Sequence, residues 1–406
     1  MLTDAIPLTD HHCHGILGAD LDRPHFERFL GEGPRGTFDS ALGLAVRRYC
    51  APLLDLPAHA SPDEYLDRRV ELGWREVTAR LLRGAGVTRW LVDTGFWPEL
   101  DDGAAQPHST FTVPVHPGVR HRIRDNGPAS DPGLRFVARR DAQLAEFRDL
   151  SGGAVEEVVR LEQVAEYVIA QRRTSPTLFA EIENALRERA RHAVAFKTIV
   201  AYRCGLNFPL VDSPPATVSS ETRLSDPHLI GWLVGLGARL GAELGLPLQF
   251  HTGFGDHDLR LDHADPLLLT DFLRTTSGSG LTVMLLHCWP FHRQASYLAH
   301  IFDHVRIDLG LAIPHIGSRA GSVLAETLEL APFRSLCYSS DGFGLPELHY
   351  LGAVLWRRGL ARLLDEWIAD DAITTADAEA LVLAIAEGNA HRVYPRSEEC
   401  GASTRT

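Results

Sequence analysis

Eight short apolar, β-branched runs recur along the 406-residue chain, and helical patterns fill the intervals between them. They are AIPLTDHH (5–12), TRWLVDTGF (88–96), EEVVRLE (156–162), AVAFKTIVAY (193–202), LPLQFHTG (246–253), LTVMLLHC (281–288), VRIDLGL (305–311) and SLCYSSDG (335–342). Several are continuous rather than alternating, the pattern of a strand buried on both faces. Strands of that kind need helices on each side, and a chain that alternates strand with helix builds a parallel sheet. Eight units favour an α/β fold of the (β/α)8 TIM-barrel type over an open doubly wound sheet.

The intervals carry helix signals. In SPDEYLDRRVELGWREVTARLLRGAG (61–86), Ser61 reads as the N-cap, Pro62 as the first helical position and Glu64 as the partner of a capping box, with Gly84 near the stop. A closing helix is expected to begin near Thr374. Residues 18–60 and 97–150 enlarge the connections after strands 1 and 2, where barrel enzymes shape their pockets. The expected organisation is one domain over 1–394 followed by a polar, flexible tail at 395–406.

Apolar residues make up 45% of the chain, enough for a large core, and the net charge of −13 argues against a nucleic-acid binder or a partner of anionic membranes. Six scattered cysteines without a C-x-x-C read as reduced thiols. No basic, apolar leader and no long apolar span is visible, so the expectation is a cytoplasmic protein with no membrane partner.

The chemistry lies at the strand ends. In TDHHCHG, side chains of an extended strand alternate, so His12 and His14 point to one side and could share a metal ion, while His11 and Cys13 point to the other. Asp10 falls on the same side as the pair and is expected to orient a ring. Lys197 interrupts an apolar run, and a buried ammonium needs a partner or a modification. His251, His287 and Asp341 each follow an apolar run, where a barrel would present them at its upper rim. Any one of these residues could be a hydrogen-bonded rim residue; together they favour a metal site.

The order H-x-H, Lys, His, His, Asp resembles the amidohydrolase superfamily of metal-dependent barrel enzymes. QFHTGFGD, LLHCWPFHRQASYLAH, IDLGLAIPH, SSDGFGLPELHYLGA and GNAHRVY narrow the likeness to its nodulin-type branch, whose domains are sometimes fused or adjacent to glutamine-synthetase-like proteins. The resemblance implies that His12 and His14 hold the more buried metal. It also implies that Lys197 is carboxylated and bridges two metals, with His251 and His287 on the second. Asp341 would bind metal and handle the proton of the attacking water, leaving Asp341, Lys197 and His287 as the catalytic residues. With an unmodified Lys197, the site would hold one metal on His12, His14, His251 and Asp341. One or two zinc, iron or manganese ions are the implied cofactors.

His11, Tyr202, Arg203, Asp256 and His292, close to those strand ends, are expected around the substrate or behind the ligands. GVRHRIRDN (118–126), with Arg135, Arg139 and Arg140, makes a basic cluster that suits an anionic small-molecule substrate. A homo-oligomer is compatible with the sequence. The leading activity is hydrolysis of an amide or ester-type carbonyl. The alternatives are a di-iron oxygenase on the same ligands, a metal-dependent decarboxylase or isomerase, and a non-catalytic binding barrel.

Overall fold

The computed structural model describes Thr3 and residues 6–95, 99–101, 112–114, 132–172, 174–216, 218 and 223–394, with the backbone alone for 99–101, 112–114, 132–139 and 172. The expected tail and the 118–126 basic cluster lie outside the described residues, as do the side chains of Arg135 and Arg139.

Seven parallel strands form one curled sheet in strict chain order. They are β1 (Leu8–Cys13), β2 (Val87–Asp93), β3 (Ala154–Arg160), β4 (Ala193–Thr198), β5 (Leu248–His251), β6 (Val283–Leu286) and β7 (Val305–Ile307). A separate two-stranded pair, Glu99–Asp101 with Thr112–Pro114, belongs to the connection after β2. Strands β1, β4, β5 and β6 are buried at every position, the outcome foreseen for unbroken apolar runs sandwiched by helices.

The eighth run is a correction. Residues 335–342 form no ladder strand: Leu336 makes a single bridge to Ile307. The segment instead joins the two edges of the sheet by separate bonds. Cys337 N donates to Ile307 O at 3.0 Å, His11 N to Tyr338 O at 3.3 Å, and Asp341 N to His12 O at 3.1 Å. Asp341 itself adopts a left-handed backbone (φ 50), which a continuous ladder cannot accommodate.

The helical signals hold with one change. Ser61 and Glu64 form the capping box, but the 61–86 stretch is two helices, Pro62–Leu72 and Trp74–Gly84, because Gly73 turns to φ 76 between them. Thr374 caps Thr375–Leu383, and the chain then runs into Asn389–Val393. Tyr394, just beyond, is fully buried in an inner cluster with Leu91, Val158, Val194, Met284 and Leu286. Those residues come from β2, β3, β4 and β6, so the chain's closing turn fills the hollow of the curled sheet. No helix among the described residues is long and apolar enough to cross a membrane.

Candidate metal centre

Each strand of a parallel sheet delivers its last residues to the same end, so polar residues placed there must meet. His12, His14 and Asp341 bring ligand atoms within 4.8 Å of one another, all buried. Asp341 Oδ1 lies 3.2 Å from His12 Nε2 and 3.3 Å from His14 Nε2, and its Oδ2 lies 3.5 Å from His287 Nε2. Lys197 Nζ is 3.1 Å from His12 Nε2. The His251 and His287 rings stand 4.5 Å apart, and those of His12 and His287 5.7 Å. All six expected ligand positions therefore converge on one buried spot.

Backbone strain aims two of them. His287 (φ 69) and Asp341 (φ 50) are non-glycine residues in left-handed conformations, each costing roughly 1–3 kcal/mol. Hydrogen bonds hold them there: His287 N donates to Asp308 Oδ1 at 2.6 Å, alongside Gly310 N at 2.9 Å. Asp308, on the turn after β7, escaped the sequence reading; its signal was the polar residue ending VRID.

Burial governs the protonation states. It is the largest cause holding His12, His251 and His287 well below the usual imidazole range, with Lys197 adding to the shift at all three. Burial also pulls the Lys197 ammonium down to about 8, against the opposing carboxylates of Asp93 and Asp341, and pushes the Asp341 carboxyl upward. Three neutral imidazoles and an amine able to lose its proton are the states a metal site requires.

A further observation tests the fit. His251 Nε2, both ring nitrogens of His287 and Asp341 Oδ1 are buried without a hydrogen bond. Buried polar atoms are normally satisfied, and each one left without a bond calls for an explanation such as an ion. Neutral imidazoles facing a carboxylate suit a divalent cation.

The structure gives several of the auxiliary residues partners of their own. Asp10 accepts from His12 N at 3.4 Å, from Ser340 N at 3.0 Å and from Ser340 Oγ at 2.5 Å, so it ties β1 to the 335–342 segment through the backbone beside a ligand and not through a ring. A register shift between Asp10 and Cys13 breaks the simple alternation from which its direction was inferred. His292 bonds Glu326 at 2.8 Å from the first position of helix His292–Ile301, so it faces another helix. Arg203 pairs with Glu166 at 3.0 Å, because the short helix Val200–Arg203 turns it aside. Arg140 bonds Asp141 and Glu157.

Other auxiliaries do lie beside the ligands. The Tyr202 ring packs 4.6 Å from His251, and its hydroxyl accepts from Asp256 N at 3.4 Å. His11 stacks on Tyr394 on the inner side. Two partners were missed: Arg160, ending β3, pairs with Asp93, ending β2, at 2.6 Å, and Asp93 lies 3.9 Å from His14 Nδ1. Both are strand-end polar residues, the same signal that marked the ligands. A cleft of about 820 Å³ lined by Arg48, Arg319, Arg358 and Glu326 includes none of the six ligand positions.

The Amidohydrolase family model (Amidohydro_2) matches residues 236–396, from before β5 to past Tyr394. Protein fluG of Emericella nidulans is 27% identical over 306 residues, which are 65% of this chain and 35% of that protein. The chain thus spans about a third of that relative's length. A protein assigned as a metal-dependent hydrolase from Lactobacillus casei ATCC 334 superposes with a TM-score of 0.73 at 25% identity, covering 97% of this chain and 96% of that one. The uronate isomerase of Bacillus halodurans C-125 shares the fold at a TM-score of 0.59 and 13% identity, covering 100% and 97% of the two chains. Over residues 236–396 the chain is thus similar to the Amidohydrolase family, and over nearly its whole length its fold is similar to that of a protein assigned as a metal-dependent hydrolase.

Proposed function

We propose that residues 1–394 form one metal-dependent hydrolytic unit. It would hold one or two divalent ions on His12, His14, His251, His287 and Asp341, with Lys197 carboxylated when two are bound. The observation that carries this reading is the set of buried imidazole nitrogens and carboxylate oxygen that converge without hydrogen bonds. On this reading the 335–344 segment completes the mouth of the barrel as an eighth stave. The L. casei relative supports the hydrolase choice.

A divalent ion held by His12, His14 and Asp341 would supply Lewis acidity, polarising a carbonyl and bringing the pKa of water toward neutrality. The chain's own groups do the rest. Asp341 takes the proton of the attacking water on its carboxylate and hands it to the leaving atom. Its burial and upward-shifted pKa suit a group that must both accept and return a proton. Lys197, poised to lose its proton, can serve as a neutral amine or be carboxylated by carbon dioxide. Tyr202, packed on His251, walls the substrate side, and the Arg160–Asp93 pair steadies His14. The substrate is a small carbonyl compound, and neither a nucleic acid nor a membrane enters the reaction.

Elemental analysis of protein purified without chelators or added metals tests the reading. The expected result is one or two divalent ions per chain, lost in His12→Ala together with hydrolysis of a panel of amides and esters. Full metal content in His12→Ala overturns the site. Iron with substrate-dependent O₂ uptake would replace hydrolysis by oxygenation on the same ligands.

A further inference from the structure

Beneath the ligand positions lie three buried groups that the proposed chemistry does not use: Gln249, Tyr394 and His11. We propose that Gln249, steadied by Tyr394, is a positioning residue that fixes the tautomer of His12 and so aims its Nε2 lone pair at the metal position. This rests on the function proposed above.

The argument starts in the sheet. Lys197 of β4 and Gln249 of β5 are Cα partners, and laterally paired residues project from the same face. Gln249 is therefore carried under the site by the same register that places Lys197, inside an apolar run where an amide is costly unless its groups are matched. They are matched. Its Nε2 donates to the His11 carbonyl oxygen at 3.0 Å and to the Tyr394 hydroxyl at 3.0 Å. A backbone carbonyl can only accept, so the orientation of the amide is set by its partners, and the oxygen must face His12. Gln249 Oε1 lies 2.8 Å from His12 Nδ1. An amide oxygen also only accepts, so the proton of a neutral His12 sits on Nδ1. That leaves the lone pair on Nε2, the atom 3.2 Å from Asp341 Oδ1.

Tyr394 secures the other end. Its hydroxyl accepts from Gln249 and is hydrogen-bonded to His11 Nδ1 at 2.9 Å, while its ring stacks on His11 at 5.4 Å between centroids. Both amide hydrogens of Gln249 are thereby occupied and the side chain has a single satisfied arrangement. Outer partners that fix a ligand's tautomer typically contribute about 10–100-fold in metal affinity. A residue acting only through another shows itself by non-additivity.

The test uses the full chain labelled with ¹⁵N-histidine and freed of metal. Long-range ¹H–¹⁵N correlation reads each ring's tautomer, with His12 assigned by the signals lost in His12→Ala. Wild type is expected as the Nδ1–H form. Gln249→Met, close in size, is expected to populate the Nε2–H form and to bind zinc about 10–100-fold more weakly in competition with a chromophoric chelator. Tyr394→Phe should weaken zinc binding less. Adding it to Gln249→Met should cause no further loss, since it acts through the missing amide. Thermal melts identify any variant that fails to fold, and Gln249→Leu then replaces Gln249→Met.

An Nε2–H His12 in wild type, an unchanged tautomer and zinc affinity in Gln249→Met, or additive losses in the double variant would each overturn the proposal. The two readings fail separately. If zinc binds while His12 carries its proton on Nε2, the positioning role is wrong and the metal site stands. If no metal binds, the change of tautomer between wild type and Gln249→Met still decides the role of Gln249.

Discussion

Removing Glu347 tests how the mouth of the sheet is held. Glu347 lies in the first turn of helix Pro346–Ala369, five residues beyond the 335–342 segment that carries Asp341. Its carboxylate accepts from Arg69 Nε at 2.7 Å, from Arg69 Nη2 at 3.4 Å and from the Tyr65 hydroxyl at 2.8 Å. The side chains of Arg69 and Glu347 are 4% and 0% exposed, so water cannot replace a lost partner. Glu347→Ala strands a buried guanidinium, at about 3–5 kcal/mol, and a buried hydroxyl, at about 1 kcal/mol more. For 406 residues the unfolding entropy is about 0.85 kcal/mol per kelvin, so the melting temperature should fall by about 5–7 °C. Calorimetry of the metal-free protein is the assay. Replacing both charges, in Arg69→Met with Glu347→Leu, should recover most of the loss, because an apolar pair of similar volume avoids the desolvation cost. A single variant melting with wild type, or a double variant no better than the single, would refute the argument that this pair braces the mouth.

Three further outcomes are expected. The His349 ring is fully buried between the carbonyls of Leu345 and His14, and burial pulls it from 6.5 down to about 4. A folded pKa below the unfolded one adds stability above pH 6.5 that is lost as pH falls toward 4. Wild type should therefore lose roughly 2–3 kcal/mol more than His349→Gln between pH 7 and 4.5 in urea unfolding; parallel profiles would sink the claim. A Cβ on Gly255 would meet the Tyr202 hydroxyl at 2.1 Å and His251 Nε2 at 3.0 Å. Gly255→Ala should thus cost zinc affinity and hydrolysis far more than melting temperature, and unchanged zinc titration would show that Tyr202 and His251 have room to yield. Saturating metal-free protein to 100 times the dissociation constant should add about 2.7 kcal/mol, or about 3 °C; no shift would mean that the ion does not favour the folded chain.

What could be read from the sequence, and what could not, divides along a physical line. A polar residue ending an apolar run must leave the sheet at a strand end, and parallel strands share that end. This is why His12, Lys197, His251, His287 and Asp341 could be gathered before any coordinates were known. Direction after the strand end obeys a different rule. The helix Val200–Arg203 turns Arg203 toward Glu166, and the helix starting at His292 turns that ring toward Glu326, partners that closeness in sequence does not reveal. Asp10 likewise bonds Ser340 and the backbone of His12, partners that strand alternation alone does not give. The eighth run failed as a strand because Asp341 takes a positive φ, which no apolar pattern records.

Gln249, Asp308, Asp93 and Arg160 went unread for a related reason. Each is a polar residue within or ending a run already identified as a strand, but its importance depends on what the neighbouring strand places beside it. Gln249 matters because β4 sets Lys197 at its side and the closing turn sets Tyr394 beneath it. One sequence can propose the atoms that meet a metal, because the fold class alone brings them together. The atoms that hold those ligands in one tautomer come from register and from the far end of the chain. The Gln249 variants therefore probe the part of the site that pattern reading cannot reach, and their failure would leave the six ligand positions untouched.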